Sequence, residues 1–284
     1  MFSLAGKLFG INRLTSQYGL DLQKLSNLRF LLGDLVRFGV ARRQFKNLSR
    51  TLESDVVFPM KSNFPCLDGM RQDASGGTLD RHYFVQDLYV AQRVFENKPQ
   101  RHVDVGSRID GFVAHVAAFR EIECFDVRPL EIKAANIRFS TLDITDSATV
   151  PDELADSVSC LHVLEHIGLG RYGDKIDPDG WKIALRNLVQ MVQTGGRLYV
   201  SVPAGRQRVE FNAHRIFSPA TILESIKLDT EVLDLLLIDD YGKILNFGTD
   251  IPRLIEAAQE LRYGCLVLTV EKKLHIGNTR PETE

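Results

Sequence analysis

Residues 101–112 read RHVDVGSRIDGF, a short apolar run that ends at a glycine and resumes as the start of a helix. HVDV has the length and composition of a buried strand. Gly106 lets the backbone turn sharply and approach a ligand, and Gly111 permits close packing where the helix begins. The spacing is G-x-x-x-x-G, not the G-x-G-x-x-G of a dinucleotide site, and no Lys-Ser or Lys-Thr follows as in a phosphate-binding loop. The pattern argues against a pyrophosphate ligand. Alone, the turn is weak evidence and better suits a plain strand-to-helix connection.

Outward from this turn the same rhythm repeats. IECFDV, IRFSTLD, SVSCLHVL, GRLYVSVP, VLDLLLIDD and CLVLTVEKK are apolar runs separated by helical or loop segments. Five strand–helix alternations followed by two more strands predict an α/β sheet, mostly parallel, with helices on both faces. In such sheets ligands bind beyond the carboxyl ends of the strands, where the strand order reverses. Asp104, Asp126 and Asp143 stand at three successive strand ends. Asp126 follows Asp104 by 22 residues, a spacing at which a carboxylate commonly accepts hydrogen bonds from ribose hydroxyls. Asp143, at the next strand tip, is placed to accept a bond from an adenine amino group. Each acid alone also suits a helix cap or a solvated loop. The three together, beside a glycine turn, point to a nucleoside-type ligand.

Composition sets the bounds. A chain of 284 residues, 44% hydrophobic and 25% charged, fits a soluble globular protein with room for one large domain and an appendage. A net charge of -2 gives no basis for nucleic acid as a partner. Cys66, Cys124, Cys160 and Cys265 form no CxxC pair, and the last three lie in apolar runs. Buried free thiols and a reducing, cytoplasmic setting are expected. No run approaches the roughly 18–20 apolar residues of a membrane span, and MFSLAGKLFGINRL lacks the unbroken apolar core of a signal peptide.

Residues 1–80 read as an N-terminal helical extension and linker, and 81–284 as the main domain. Residues 1–50 carry nine basic and two acidic side chains, a local net of +7. Leu28, Leu31, Leu35 and Phe38 recur at helical spacing, so LSNLRFLLGDLVRFGVARRQF predicts an amphipathic helix. Its basic face suits solvent, or else the anionic surface of the inner membrane or a protein partner. Residues 51–80, with FPMKSNFPCLDG and DASGG, read as a loop-rich connection, and LDRHYFVQDLYVAQRVFENK as a helix leading to the turn.

VDVGSRIDG, FDV, LDITD, SVSCLHVLEHIGLGRYGD and GGRLYVSVP follow one another in the order found in class I S-adenosylmethionine-dependent methyltransferases, which residues 80–272 resemble. LHVLEHIGLGRYGD carries the most specific part, since LEH after the fourth strand recurs in many small-molecule members. The chain is most similar to a bacterial branch associated with surface-polysaccharide biosynthesis. The resemblance implies a Rossmann-like doubly wound sheet of seven mostly parallel strands, the last antiparallel. It implies that Asp104, Gly106, Ser107, Arg108 and Gly111 border the methionine part of the cofactor, and that Asp126 holds the ribose. Asp143 and Ile144 would face the adenine, with Leu161 and His162 closing the pocket. The first turn departs from the family pattern E/D-x-G-x-G-x-G. Arg108 and Asp110 take the second and third glycine positions, so Arg108 either narrows the pocket or contacts a carboxylate, including that of the cofactor.

Methyl transfer to a hydroxyl needs alignment of the acceptor and a proton acceptor. His162, Glu165, His166 and His214 are the candidate bases, with Glu165, His166 and His214 preferred for catalysis. Capping or orienting the next helix is the stronger reading of Glu165 and His166 taken by themselves. His214-Arg215 also suits recognition of an anionic acceptor. His-x-x-x-His at 162 and 166 is split between a strand end and a loop, so no metal site is expected. Tyr172 and Trp181, near Gly168, Gly170 and Gly173, suit stacking on a sugar or core packing. Asp239, Asp240 and Tyr241 suit a loop enclosing the acceptor. The implied activity is methylation of a small-molecule or glycan acceptor, with a sugar hydroxyl in a glycan or glycolipid precursor as the favoured class. A nucleotide-sugar-dependent glycan enzyme and a non-catalytic scaffold of the same fold are the rivals; no D-x-D motif at a strand end supports the first. The oligomeric state is not legible.

Overall fold

The structure, a computed structural model, describes residues 28–51, 58–63, 81–131, 134–171, 173–211 and 213–274. Residues 1–27, Cys66, the DASGG stretch and Tyr172 lie outside them. An amphipathic helix α1 (Leu28–Thr51) comes first, followed by a short strand β1 (Met60–Asn63) and a helix α2 (Arg81–Asn97). Then come β2 (His102–Val105), a widened turn at Ile109–Val113, α3 (Ala114–Ala117), β3 (Ile122–Asp126), β4 (Ile137–Thr141) and β5 (Ala155–Leu161). The second half holds α4 (Gly180–Met191), β6 (Val192–Ala204), β7 (Arg208–Phe211), β8 (His214–Ile216), α5 (Pro219–Ile226), β9 (Thr230–Ile238), β10 (Ile244–Gly248), α6 (Ile251–Gln259) and β11 (Gly264–Lys272).

The main sheet has the order β10-β9-β11-β6-β5-β2-β3-β4. From β6 to β4 the strands are parallel, while β11 runs antiparallel to both β6 and β9. The order reverses between β2 and β5, the switch point of a Rossmann-like doubly wound sheet. All seven apolar runs are strands of this sheet. An eighth, β10, pairs antiparallel with β9 and corrects the expected number. It exists because Asp239 closes a tight turn: its carboxylate accepts from the amides of Tyr241 (2.9 Å) and Lys243 (2.8 Å), and Gly242 adopts φ 84°. A D-D-Y-G turn of this kind is the chemistry of a hairpin.

Strand alternation sorts the core onto two faces. Leu198, Val200 and Val202 of β6 and Leu266, Leu268 and Val270 of β11 pack with Trp181, Leu185 and Leu188 of α4 and with α5 and α6. Tyr199 and Val267 point the other way, to α2 and to Phe112 and Val116. Cys124, Cys160 and Cys265 are buried free thiols, as expected. Among the described residues no helix is long and apolar enough to cross a membrane.

A second, three-stranded sheet, β1-β7-β8, was not legible as strands. Residues 58–63 lie in the stretch read as a connection, yet β1 pairs in parallel with β7. Phe58 packs edge-on against Trp181 (5.8 Å) and Phe217 (5.3 Å). Trp181 is fully buried in this cluster, so of its two readings the structure selects core packing. Phe38 and Phe45 of α1 seat on Phe211, beside Leu169 and Val209.

Candidate functional site

A cavity of about 680 Å³ lies at the carboxyl ends of β2, β3, β4 and β5. Gly106 and Arg108 from the first turn, Asp126, Asp143, Ile144, Leu161, His162 and His166 all reach its wall. Among the residues singled out from the sequence, Asp104, Ser107, Gly111, Glu165 and His214 do not.

Asp104 is placed behind the turn, for a reason its hydrogen bonds make plain. Its carboxylate accepts from the Ser107 amide (3.0 Å), the Ser107 hydroxyl (2.6 Å) and the Ser159 hydroxyl (2.6 Å). The Ser107 hydroxyl oxygen accepts in turn from the Leu161 amide at 3.1 Å. The acid therefore fixes the turn to the ends of β2 and β5. Burial pushes its pKa up to about 6, against the pull of those hydrogen bonds. Gly106 adopts φ 75°, and a Cβ there would stand 3.0 Å from Val163. Gly111 is close-packed: a Cβ would stand 2.4 Å from Asp87 Oδ2. This brings a buried acid of α2, itself pushed up to about 6 by burial, against the turn.

The other two strand-end acids reach the cavity. Arg128 grips Asp126 through Nε (3.1 Å) and a terminal nitrogen (3.0 Å), and the Arg128 amide donates to the same carboxylate at 2.8 Å. Asp143 accepts from the amide (2.8 Å) and hydroxyl (2.7 Å) of Thr145. Asn187 of α4 donates to the Ile144 carbonyl at 2.8 Å, which anchors this loop from below. Phe125, Val127, Leu142 and Ile144 add apolar surface to the same cavity wall. Arg108 pairs with Asp110 (3.0 Å) and lies over the ring of Tyr83 at 5.2 Å. Tyr83 also lines the cavity, 4.7 Å from the His162 ring. Sequence reading missed Tyr83, because only tertiary folding brings α2 over the turn.

His162 and His166 share one buried carboxylate. The His162 backbone is left-handed (φ 55°), an uncommon state for a non-glycine residue that clusters at functional sites. Its Nδ1 lies 2.7 Å from Glu165 Oε1, and His166 Nε2 lies 3.6 Å from the same oxygen. Glu165 Oε2 is buried without a hydrogen-bond partner among the described residues. His166 Nδ1 donates to the Ala213 carbonyl (2.7 Å), which leaves Nε2 as the basic nitrogen of the neutral ring. Burial opposes charge on His162, but Cys265 and Glu165 outweigh it and hold the ring well above the usual imidazole range. Burial draws His166 below that range, offset in part by Glu165. Burial would raise Glu165, yet the two imidazoles hold it below the ordinary carboxylate value.

The expectations for residues 214 and 215 are corrected. His214 sits off the wall, 3.3 Å from Glu210 and 5.0 Å from the Tyr263 ring, and burial pushes it down to about 4. Arg215 is fully buried and cannot meet an acceptor. It donates to the carbonyls of Ile167 (2.5 Å) and Pro178 (3.0 Å), strapping together the loop that follows β5. That loop lines the cavity through Ile167, Gly168, Asp174 and Asp177. Asp239, Asp240 and Tyr241 form the β9–β10 turn away from the cavity, with Asp240 accepting from the Arg262 and Tyr263 amides. Among the described residues no group of three or more His, Cys, Asp or Glu side chains is disposed to hold a metal ion.

Residues 119–227, from just before β3 to the end of α5, match the family described as "Caenorhabditis protein of unknown function, DUF268". No curated protein matches the chain. Among solved structures, the chain is similar to the N-methyltransferase NodS from Bradyrhizobium japonicum, solved with S-adenosyl-L-homocysteine. Identity is 16%, with 80% of this chain and 97% of that one covered, at a TM-score of 0.49. For the 1,6-didemethyltoxoflavin N1-methyltransferase of Burkholderia thailandensis the values are 14%, 67%, 80% and 0.46. For the [4+2]-cyclase SpnF they are 17%, 67%, 81% and 0.48.

Proposed function

We propose that the chain is an S-adenosylmethionine-dependent methyltransferase. Its acceptor is a small molecule or glycan, with a sugar hydroxyl of a surface-glycan or glycolipid precursor as the favoured class. The observation that carries the reading is the joint placement of Asp126, Asp143 and the Gly106 turn on one cavity wall at the switch point. A nucleoside needs such a set: a carboxylate for the ribose hydroxyls, one for the base edge, apolar faces around the ring and a turn without a side chain. The acceptor class rests on the family resemblance alone.

The bound donor would supply an electrophilic methyl group on a sulfonium. Asp126 would accept from the ribose hydroxyls, which must compete with Arg128 for that carboxylate. Asp143 and Ile144 would face the adenine, and Leu161 and His162 the methionine side. Arg108, at the rim, would meet the methionine carboxylate in exchange for Asp110. His166 Nε2 would take the acceptor hydroxyl's proton, and Glu165 would stabilise the imidazolium that forms.

Calorimetric titration with S-adenosylmethionine and S-adenosylhomocysteine, with UDP and NAD as controls, tests the reading without knowledge of the acceptor. Micromolar binding of the adenosyl ligands is expected, weakened by about 1–3 kcal/mol in Asp126→Ala. Absence of adenosyl binding by the folded protein would sink the proposal, and a UDP response would favour a nucleotide-sugar enzyme instead.

A further inference from the structure

The helix α1 has two faces with different work. Phe38, Ala41 and Phe45, at helical spacing, pack with Leu169, Val209, Phe211 and Ile176. Leu169 and Ile176 belong to the loop after β5, whose other side lines the cavity. The opposite face carries Val36, Val40, Arg43, Asn47 and Arg50, spaced i, i+4, i+7, i+11 and i+14, with Lys46 at its flank. All of these are exposed, and Val36 and Val40 are 66% and 53% exposed. Between Asp34 and Glu53 the sequence has five basic residues and no acidic one. The chain as a whole is slightly acidic, with a net charge of -2, so this concentration of positive charge is local.

We propose that the outer face of α1 docks the protein on an anionic lipid surface and so holds the cavity beside the membrane, where an acceptor attached to lipid would be presented. Charge complementarity selects the occupant. Clustered Lys and Arg draw a helix to acidic headgroups, and apolar side chains between them enter the headgroup boundary. Two valines give shallow insertion, so the attachment is peripheral and salt-sensitive. The supply of acceptor at the membrane rests on the methyl-transfer reading; the docking itself does not.

The test is co-sedimentation of the full chain with phosphatidylcholine vesicles, with and without phosphatidylglycerol, at low and high salt. The protein should sediment with the anionic vesicles only. At high salt, and in R43E/K46E/R50E at low salt, the bound fraction should fall at least tenfold. Because the three side chains are exposed, circular dichroism and S-adenosylmethionine affinity should match the parent. Equal binding to neutral vesicles, or undiminished binding by the charge-reversed variant, would overturn the proposal. So would failure to sediment with either vesicle while a nucleic-acid duplex or heparin binds. Loss of donor binding in the parent chain would count against the methyltransferase reading and leave the docking result standing.

Discussion

Two imidazoles on one cavity wall are shifted in opposite directions, His166 down by burial and His162 up beside its partners. Groups pushed apart in this way can divide acid and base roles. In the proposed reaction His166 serves as the base, because its Nδ1 is committed to the Ala213 carbonyl and burial draws its pKa below the usual range. His162 is pushed the other way, its Nδ1 2.7 Å from Glu165 Oε1. Histidine NMR titration should therefore place His166 below the free-imidazole value of about 6.5 and His162 above it. Glu165→Gln removes the shared anion and should lower both values. In turnover, His166→Ala should reduce kcat by about 10²–10⁴. The acid limb of kcat/KM should lie below about pH 6.5 in the parent and shift lower still in Glu165→Gln. A Glu165→Gln variant with both titrations unmoved would remove Glu165 from the scheme.

At the level of elements, β8 clasps the loop after β5. The Arg215 amide donates to the Glu165 carbonyl (2.9 Å), and its guanidinium bridges Ile167 and Pro178. One planar fork thus ties both ends of the segment that carries Gly168 and Asp177 and directly follows His166. Arg215→Lys keeps the charge but not the fork, so a buried carbonyl loses its donor at a cost of about 1–3 kcal/mol. Its melting temperature should fall, and hydrogen exchange across residues 165–180 should quicken. Unchanged exchange there would show that the strap does not hold the loop. Seven of the eight main-sheet strands were legible because each is an apolar run bounded by turn residues or by a helical segment. β1, β7 and β8 were not, because MKSN, RVEF and HRI mix polar with apolar residues and β1 pairs with a segment about 150 residues away. The same limit hid Tyr83 and misdirected the reading of Arg215. A strand-end carboxylate announces itself in the sequence, whereas a buried arginine looks like a surface one until its partners are known.

Over the whole molecule, buried ionisable groups oppose one another in their response to pH. Asp87 and Asp104 are both raised to about 6 by burial, above the ordinary unfolded value of about 3.9. Between those values the native state binds more protons than the unfolded chain, so these acids favour folding as pH falls through that window. His102 is depressed to about 3 and His214 to about 4 by burial. They act oppositely and cost stability as pH falls below about 6.5, where the unfolded rings take up protons. The total pH curve therefore conceals each contribution, and a difference between two chains is needed to isolate one. Asp87→Asn does this, because Gln86 Nε2 donates to Oδ1 at 3.1 Å and an amide oxygen accepts that bond equally well. The variant should be more stable than the parent at pH 8, on the order of 3 kcal/mol from a shift of about two units at 1.36 kcal/mol each. The gap should narrow as pH falls below 6 and close near pH 4, where the parent's acid is already neutral. Denaturant unfolding of the two proteins at pH 8, 6 and 4 measures it. A gap independent of pH would mean that Asp87 acts through shape alone and that its charge is not what burial penalises.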